Sequence, residues 1–153
     1  MEPSSSDLDP ATLAEMELAA ACLKIRFLVE RGFLSLAVEK LEEVFSKGHQ
    51  IKNLQNHLAE SATALLQAYE KSKQYQTTID IFKQYEGILG DNHIALTLAG
   101  SSCLHLNDSQ QAESFLERAV QKGISYPDPY LLLGNLCAQS QPNKAVAYYS
   151  QYY

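Results

Sequence analysis

Gly100 and Gly134 stand 34 residues apart, and each begins the same short sequence, Gly-x-x-Cys, ending at Cys103 and Cys137. A fixed period of this length means that the fold is built by repetition, from units too small to bury an apolar face alone. Further copies are readable. Leu65-Leu66-x-x-Tyr69 aligns with Ala99-Gly100-x-x-Cys103 and Leu133-Gly134-x-x-Cys137. Downstream, each copy carries a small residue and, four positions on, a larger one: Thr78 and Phe82, Ala112 and Leu116, Ala145 and Tyr149. An earlier pair, Ala37 and Leu41 after Arg31-Gly32-Phe33-Leu34, makes four copies. Successive small residues are 41, 34 and 33 apart, so the first connection carries seven extra residues and the last turn is one short.

The repeated units read as helices. Apolar residues recur at steps of three and four, as in Leu13, Met16, Ala20, Leu23 and Phe27, until Gly32 interrupts them. No stretch alternates as a strand would. Breaks at Gly32, Gly48, Gly87, Gly90, Asn107, Gly123, Pro127 and Pro142 divide the chain into about eight helices. Asp9-Pro10 and Asp128-Pro129 have the form of an N-cap and first helical residue, Asp91 is placed to cap a helix from near Asn92, and Asp108 with Gln111 has capping-box spacing. Residues 1 to 9 are polar and aperiodic, which predicts a flexible tail before a repeat domain over 10–153, either a whole array or the N-terminal part of a longer one. The extra residues of the first connection fit a helix that starts early, near Asn53 or Leu54, because Leu54, Leu58, Leu65 and Tyr69 share a face.

Period, Leu-Gly-x-x-aromatic element and small-residue slot together resemble the tetratricopeptide repeat (TPR) family over nearly the whole chain. The departures are specific: no copy has the family's tryptophan, Tyr130 standing in that slot in the last, and the first copy lacks both the glycine and the tyrosine. The resemblance implies an all-α, right-handed superhelical solenoid of about four TPR-like helix pairs. Packing physics agrees, since Ala37, Thr78, Ala112 and Ala145 let one helix of a pair approach the other, and Gly100 and Gly134 leave the matching gap.

Composition narrows the function. Eighteen acidic and twelve basic residues give a net charge of -6 with no basic cluster beyond the pair Lys71 and Lys73, so nucleic acid is not the expected partner. Uninterrupted apolar runs such as Ala19 to Leu23 are far shorter than a membrane span. Three cysteines, Cys22, Cys103 and Cys137, without CxxC spacing or a secretory signal, point to a reducing compartment, cytoplasmic or nuclear. Cys103 and His105 project about 200° apart on a helix and cannot act as nucleophile and base, while Gly100-Ser101-Ser102-Cys103 lies in mid-helix where no nucleophile elbow forms. The four histidines have no metal-ligand spacing, and no glycine motif would cradle a phosphate. No catalytic residue, metal or cofactor is expected.

Binding through shape is what the resemblance implies, with a concave groove holding a peptide or helix. The family's ligand-facing slots fall on Cys22 and Arg26, Thr63 and Gln67, Thr97 and Ser101, and Leu131 and Asn135, with His105 and Gln139 at the rim. The clamp for an acidic chaperone C-terminus needs lysines and asparagines there; only Arg26 and Asn135 are similar, so that ligand is excluded and an apolar helix or extended segment is favoured. The expected role is a non-catalytic adaptor or scaffold. The alternative is a structural oligomerisation segment of a larger complex that uses the solenoid ends. Tyr148, Tyr149, Tyr152 and Tyr153 fall within about 140° of the last helix, which predicts either that the natural protein continues past Tyr153 or that this face docks on another molecule, a second copy included.

Overall fold

The computed structural model describes residues 9–123 and 128–152; residues 1–8, 124–127 and Tyr153, with the expected tail and the break at Pro127, lie outside the described residues. Among those described, the chain is entirely helical: α1 (Pro10–Glu30), α2 (Leu34–Gly48), a 3-10 turn (Lys52–Leu54), α3 (Gln55–Lys71), α4 (Tyr75–Gln84), the short α5 (Glu86–Leu89), α6 (His93–His105), α7 (Ser109–Lys122), α8 (Pro129–Cys137) and α9 (Pro142–Tyr152). The count exceeds the expected eight because the stretch between Gln84 and His93 makes a turn of helix of its own. The seven extra residues of the first connection are accounted for by the 3-10 turn and an early start of α3.

The caps are local chemistry. Asp9 Oδ1 accepts from the Thr12 amide at 2.7 Å, and Asp128 Oδ1 from the Tyr130 amide at 2.8 Å, each ahead of a proline that has no amide to satisfy. Asp108 takes the Gln111 amide at 3.1 Å and the Gln111 side-chain amide at 2.6 Å. One assignment is corrected: Asn92, not Asp91, caps α6, accepting from the Ala95 amide at 3.0 Å, while the exposed Asp91 pairs with Lys122 at 3.3 Å.

Three of the turns within helix pairs are the same turn. Phe33 N–H bonds to Leu28 O and Gly32 N–H to Val29 O; Gln74 N–H to Tyr69 O and Lys73 N–H to Glu70 O; Asp108 N–H to Cys103 O and Asn107 N–H to Leu104 O. Each is a Schellman closure, which needs one left-handed residue. Gly32, Lys73 and Asn107 occupy that position with φ of 83°, 63° and 61°. The next helix then begins at once, and four residues on the small residue donates its amide to the first carbonyl: Ala37 to Phe33, Thr78 to Gln74, Ala112 to Asp108, and Ala145 to Gln141. The last pair turns differently, with Gln141 N–H on Cys137 O, and this is where the chain is one residue short.

The chain divides into two compact units within α3, between Ala68 and Tyr69. In the first, α1 and α2 form a helical hairpin whose core includes Cys22, Ile25, Ala37, Leu41 and Val44, with Leu54 and Leu58 buried further on. In the second, α6 packs on α4, α7 and α8, and α8 on α9. Phe82 of α4 meets Phe115 of α7 edge-on at 5.1 Å. Gly100 faces the Leu116 side chain across α6 and α7, and Gly134 faces the Tyr149 ring across α8 and α9, so the two pairs that share the Gly-x-x-Cys sequence also share a crossing. Ala37, Thr78, Ala112 and Ala145 are all buried.

Candidate interaction surface

The ligand-facing slots divide sharply by exposure. In the first unit Arg26 is exposed and its Nη1 lies 3.4 Å from Glu60 Oε2; Gln67 is exposed as well. Cys22 is buried, its carbonyl accepting from Ser61 Oγ at 3.2 Å, and Thr63 is buried with no hydrogen-bond partner for its Oγ1. In the second unit Thr97 is only 1% exposed and donates its hydroxyl to His93 O at 2.8 Å. Ser101 is buried and donates to Glu70 Oε1 at 3.4 Å. Of the slots expected to face a ligand, Cys22, Thr63, Thr97 and Ser101 are thus buried. For α6 the reason is its company: every residue from Ala95 to Cys103 is buried, so this helix has no open side there.

His105, Leu131 and Asn135 remain nearer the surface. The His105 ring stacks on Tyr75 at 4.2 Å, with Nδ1 2.9 Å from Ser101 O. Leu131 is half-buried. Asn135 is exposed, but its Oδ1 accepts from the Tyr149 hydroxyl at 2.6 Å, so a groove residue and a residue of the expected C-terminal face are bonded to each other. Of that C-terminal face, Tyr148 and Tyr149 are half-buried. Tyr148 donates its hydroxyl to Glu117 Oε1 at 2.9 Å, and burial followed by this bond pushes its pKa up to about 12. Lys144 beside it is paired with Glu113, and the Tyr149 ring is held against Gly134. Tyr152 keeps 40% exposure, with Val146 at 63%; Tyr153 lies outside the described residues.

Exposed apolar surface is concentrated elsewhere. Met16, Leu23 and Phe27 on α1 stand 55%, 60% and 52% exposed, and Ala20 between them is exposed too. Phe33 and Leu36, at the start of α2, are also exposed. A cleft of about 290 Å³ on the same unit is lined by Lys24, Leu28, Leu36, Glu39, Lys40 and Glu43. The stripe from Leu13 to Phe27 by which the sequence announces α1 as a helix is thus not the stripe that packs against α2. A second set, Leu18, Cys22, Ile25 and Val29, faces inward. The signal was in the sequence: α1 is apolar on two sides, and one helix packing face needs only one of them.

The three thiols are buried. Burial, with Asp108 adding to it, raises Cys103 to about 11, and burial raises Cys22 and Cys137 as well. Among the described residues no group of three His, Cys, Asp or Glu side chains is placed to hold a metal ion, and no helix is long and apolar enough to cross a membrane. No protein-family model matches the chain, and no curated protein matches it.

Proposed function

We propose that this chain is a non-catalytic protein-interaction module, an adaptor or scaffold made of about four TPR-like helix pairs, among them α1 with α2, α6 with α7 and α8 with α9. The repeated Schellman turn and the matching crossings of Gly100 on Leu116 and Gly134 on Tyr149 support the repeat reading. The observation that carries the function is the open apolar stripe of α1. Water-facing Met16, Leu23 and Phe27 in one row are costly to leave uncovered and are the kind of patch by which proteins bind one another. This favours the open face of α1 as the binding surface. The groove reading keeps Arg26, Gln67, His105, Leu131 and Asn135 but loses its central hydroxyls to burial. Three free buried cysteines suit a reducing compartment, the cytoplasm or nucleus.

Affinity purification with three variants tests the reading. Leu23→Glu and Phe27→Glu change exposed side chains, so helicity should be unchanged while captured protein is lost. Gln67→Glu should leave capture intact. Loss with Gln67→Glu alone would return the binding surface to the groove, and indifference to all three variants would end the module reading.

A further inference from the structure

The exposed stripe of α1 has a stricter spacing than a packing face requires. Leu13, Met16, Ala20, Leu23 and Phe27 follow steps of three, four, three and four, the a and d positions of two heptads, and lie within about 80° of the helix circumference. The inward stripe of Leu18, Cys22, Ile25 and Val29 lies on the opposite side. An a/d seam of this kind is made to receive another helix. Resting on the interaction-module reading, we infer that the occupant is a second copy of this chain, its α1 laid antiparallel on the first about a two-fold axis.

Charge and size complementarity select this partner and this direction. In an antiparallel pair each a position meets a d position of the other helix. Ala20 then faces the partner's Leu23 and Met16 faces the partner's Phe27, small against large in the middle and two long side chains at each flank. The seam closes where Leu13 meets the partner's Glu30. The e positions of these heptads are Glu17 and Lys24, exposed residues that make no ion pair with the described residues of their own chain. Antiparallel pairing sets e beside e, so Glu17 meets the partner's Lys24 and, by symmetry, Lys24 meets the partner's Glu17. A parallel pair does worse on every count. It places Ala20 on the partner's Ala20, leaving a gap, and it sets Arg26 beside the partner's Arg31 with Glu17 facing only the partner's Thr12.

The area fits a reversible contact. At their exposures Met16, Leu23 and Phe27 each offer roughly 100 Å², judged from the 150 to 250 Å² that a whole large side chain buries. With Leu13, Ala20 and the stems of Glu17 and Lys24, two copies cover about 1,000 Å² in all, the lower edge of specific interfaces.

Sedimentation equilibrium of the chain from about 1 µM to 1 mM, at low salt, tests the pairing. The natural chain should move from monomer to dimer and no further. Leu23→Glu should abolish association with helicity unchanged. Glu17→Lys and Lys24→Glu should each weaken self-association about tenfold, by turning two attractive contacts into two repulsive ones. An equimolar mixture of these two variants should form a heterodimer at natural strength, because each chain then offers the other the opposite charge at both contacts; a parallel pair has no such rescue. A natural chain that stays monomeric to 1 mM overturns the self-pairing. So does association that ignores Leu23→Glu, or a mixture that behaves as its separate components. If the chain is monomeric while Leu23→Glu still removes a captured protein, the module reading stands and only the second copy fails; indifference in both assays ends both.

Discussion

Replacing Gly100 by alanine separates two effects that a helical glycine usually combines. In an open helix the change stabilises by about 1 kcal/mol, since alanine loses less backbone freedom on folding. Here the added methyl carbon would lie 2.6 Å from Leu116 Cγ and 2.7 Å from Leu116 Cδ2, with the Ala112 carbonyl oxygen 3.5 Å away. Carbon atoms rest about 3.5 to 4.0 Å apart, so α6 and α7 must part by about 1 Å or Leu116 must leave its rotamer. Leu116 is fully buried, and Cγ is its branch point, so rotation of the methyl ends gives no relief. Overpacking of this kind costs about 1 to 3 kcal/mol, which leaves a net loss of about 0 to 2 kcal/mol after the helix propensity gain. Urea titration followed by circular dichroism on the four corners of a cycle measures it. Leu116→Ala alone should cost about 2 to 5 kcal/mol through the cavity it leaves. In that background Gly100→Ala should stabilise, because its methyl enters vacated space, giving a coupling of about 1 to 3 kcal/mol. Gly87→Ala is the control: that glycine is exposed in α5 and a methyl there meets nothing within 4 Å. If Gly100→Ala stabilises the natural chain as much as it stabilises the Leu116→Ala background, the close crossing is not what requires glycine, and the reasoning fails.

Lys73 holds the same left-handed turn position as Gly32 with a side chain that disfavours it, at φ 63°; Lys73→Gly should raise stability by about 0.5 to 1 kcal/mol in thermal melts. The three cysteines are buried with raised pKa values, Cys103 to about 11, so a thiol reagent at pH 8 should label the native chain slowly and all three sites rapidly in urea. Tyr148 is held protonated to about 12 by burial and Glu117, above its ordinary value of 10.0; below 10.0 its contribution to stability is complete, and it is lost as pH rises to about 12. Alkaline melts should therefore fall less steeply over that range in Tyr148→Phe than in the natural chain.

What the sequence determined by itself is whatever local chemistry enforces. Asp9, Asp108 and Asp128 cap helices because a carboxylate three or fewer residues before a free amide satisfies it wherever the helix lies. The 34-residue period marked helix pairs, and the small residues Gly100, Gly134, Ala112 and Ala145 marked crossings, because close approach is set by side-chain volume, a property of the residue itself. Even the one-residue deficit before Ala145 surfaced as the single turn among the four pairs that closes differently. Exposure was not legible in the same way. Thr97 and Ser101 occupy slots that face a ligand in the family the chain resembles, yet α6 is buried at every residue from Ala95 to Cys103. Tyr148 and Tyr149 share the arc expected to dock, and that their hydroxyls bond to Glu117 and Asn135 could not be read from their spacing. On α1, two apolar stripes had equal claims to the core, and tertiary packing turned one inward and left Met16, Leu23 and Phe27 in water. A helical period fixes the angle between side chains on one helix; which angle is buried depends on where other helices stand, and that is a property of the tertiary structure alone.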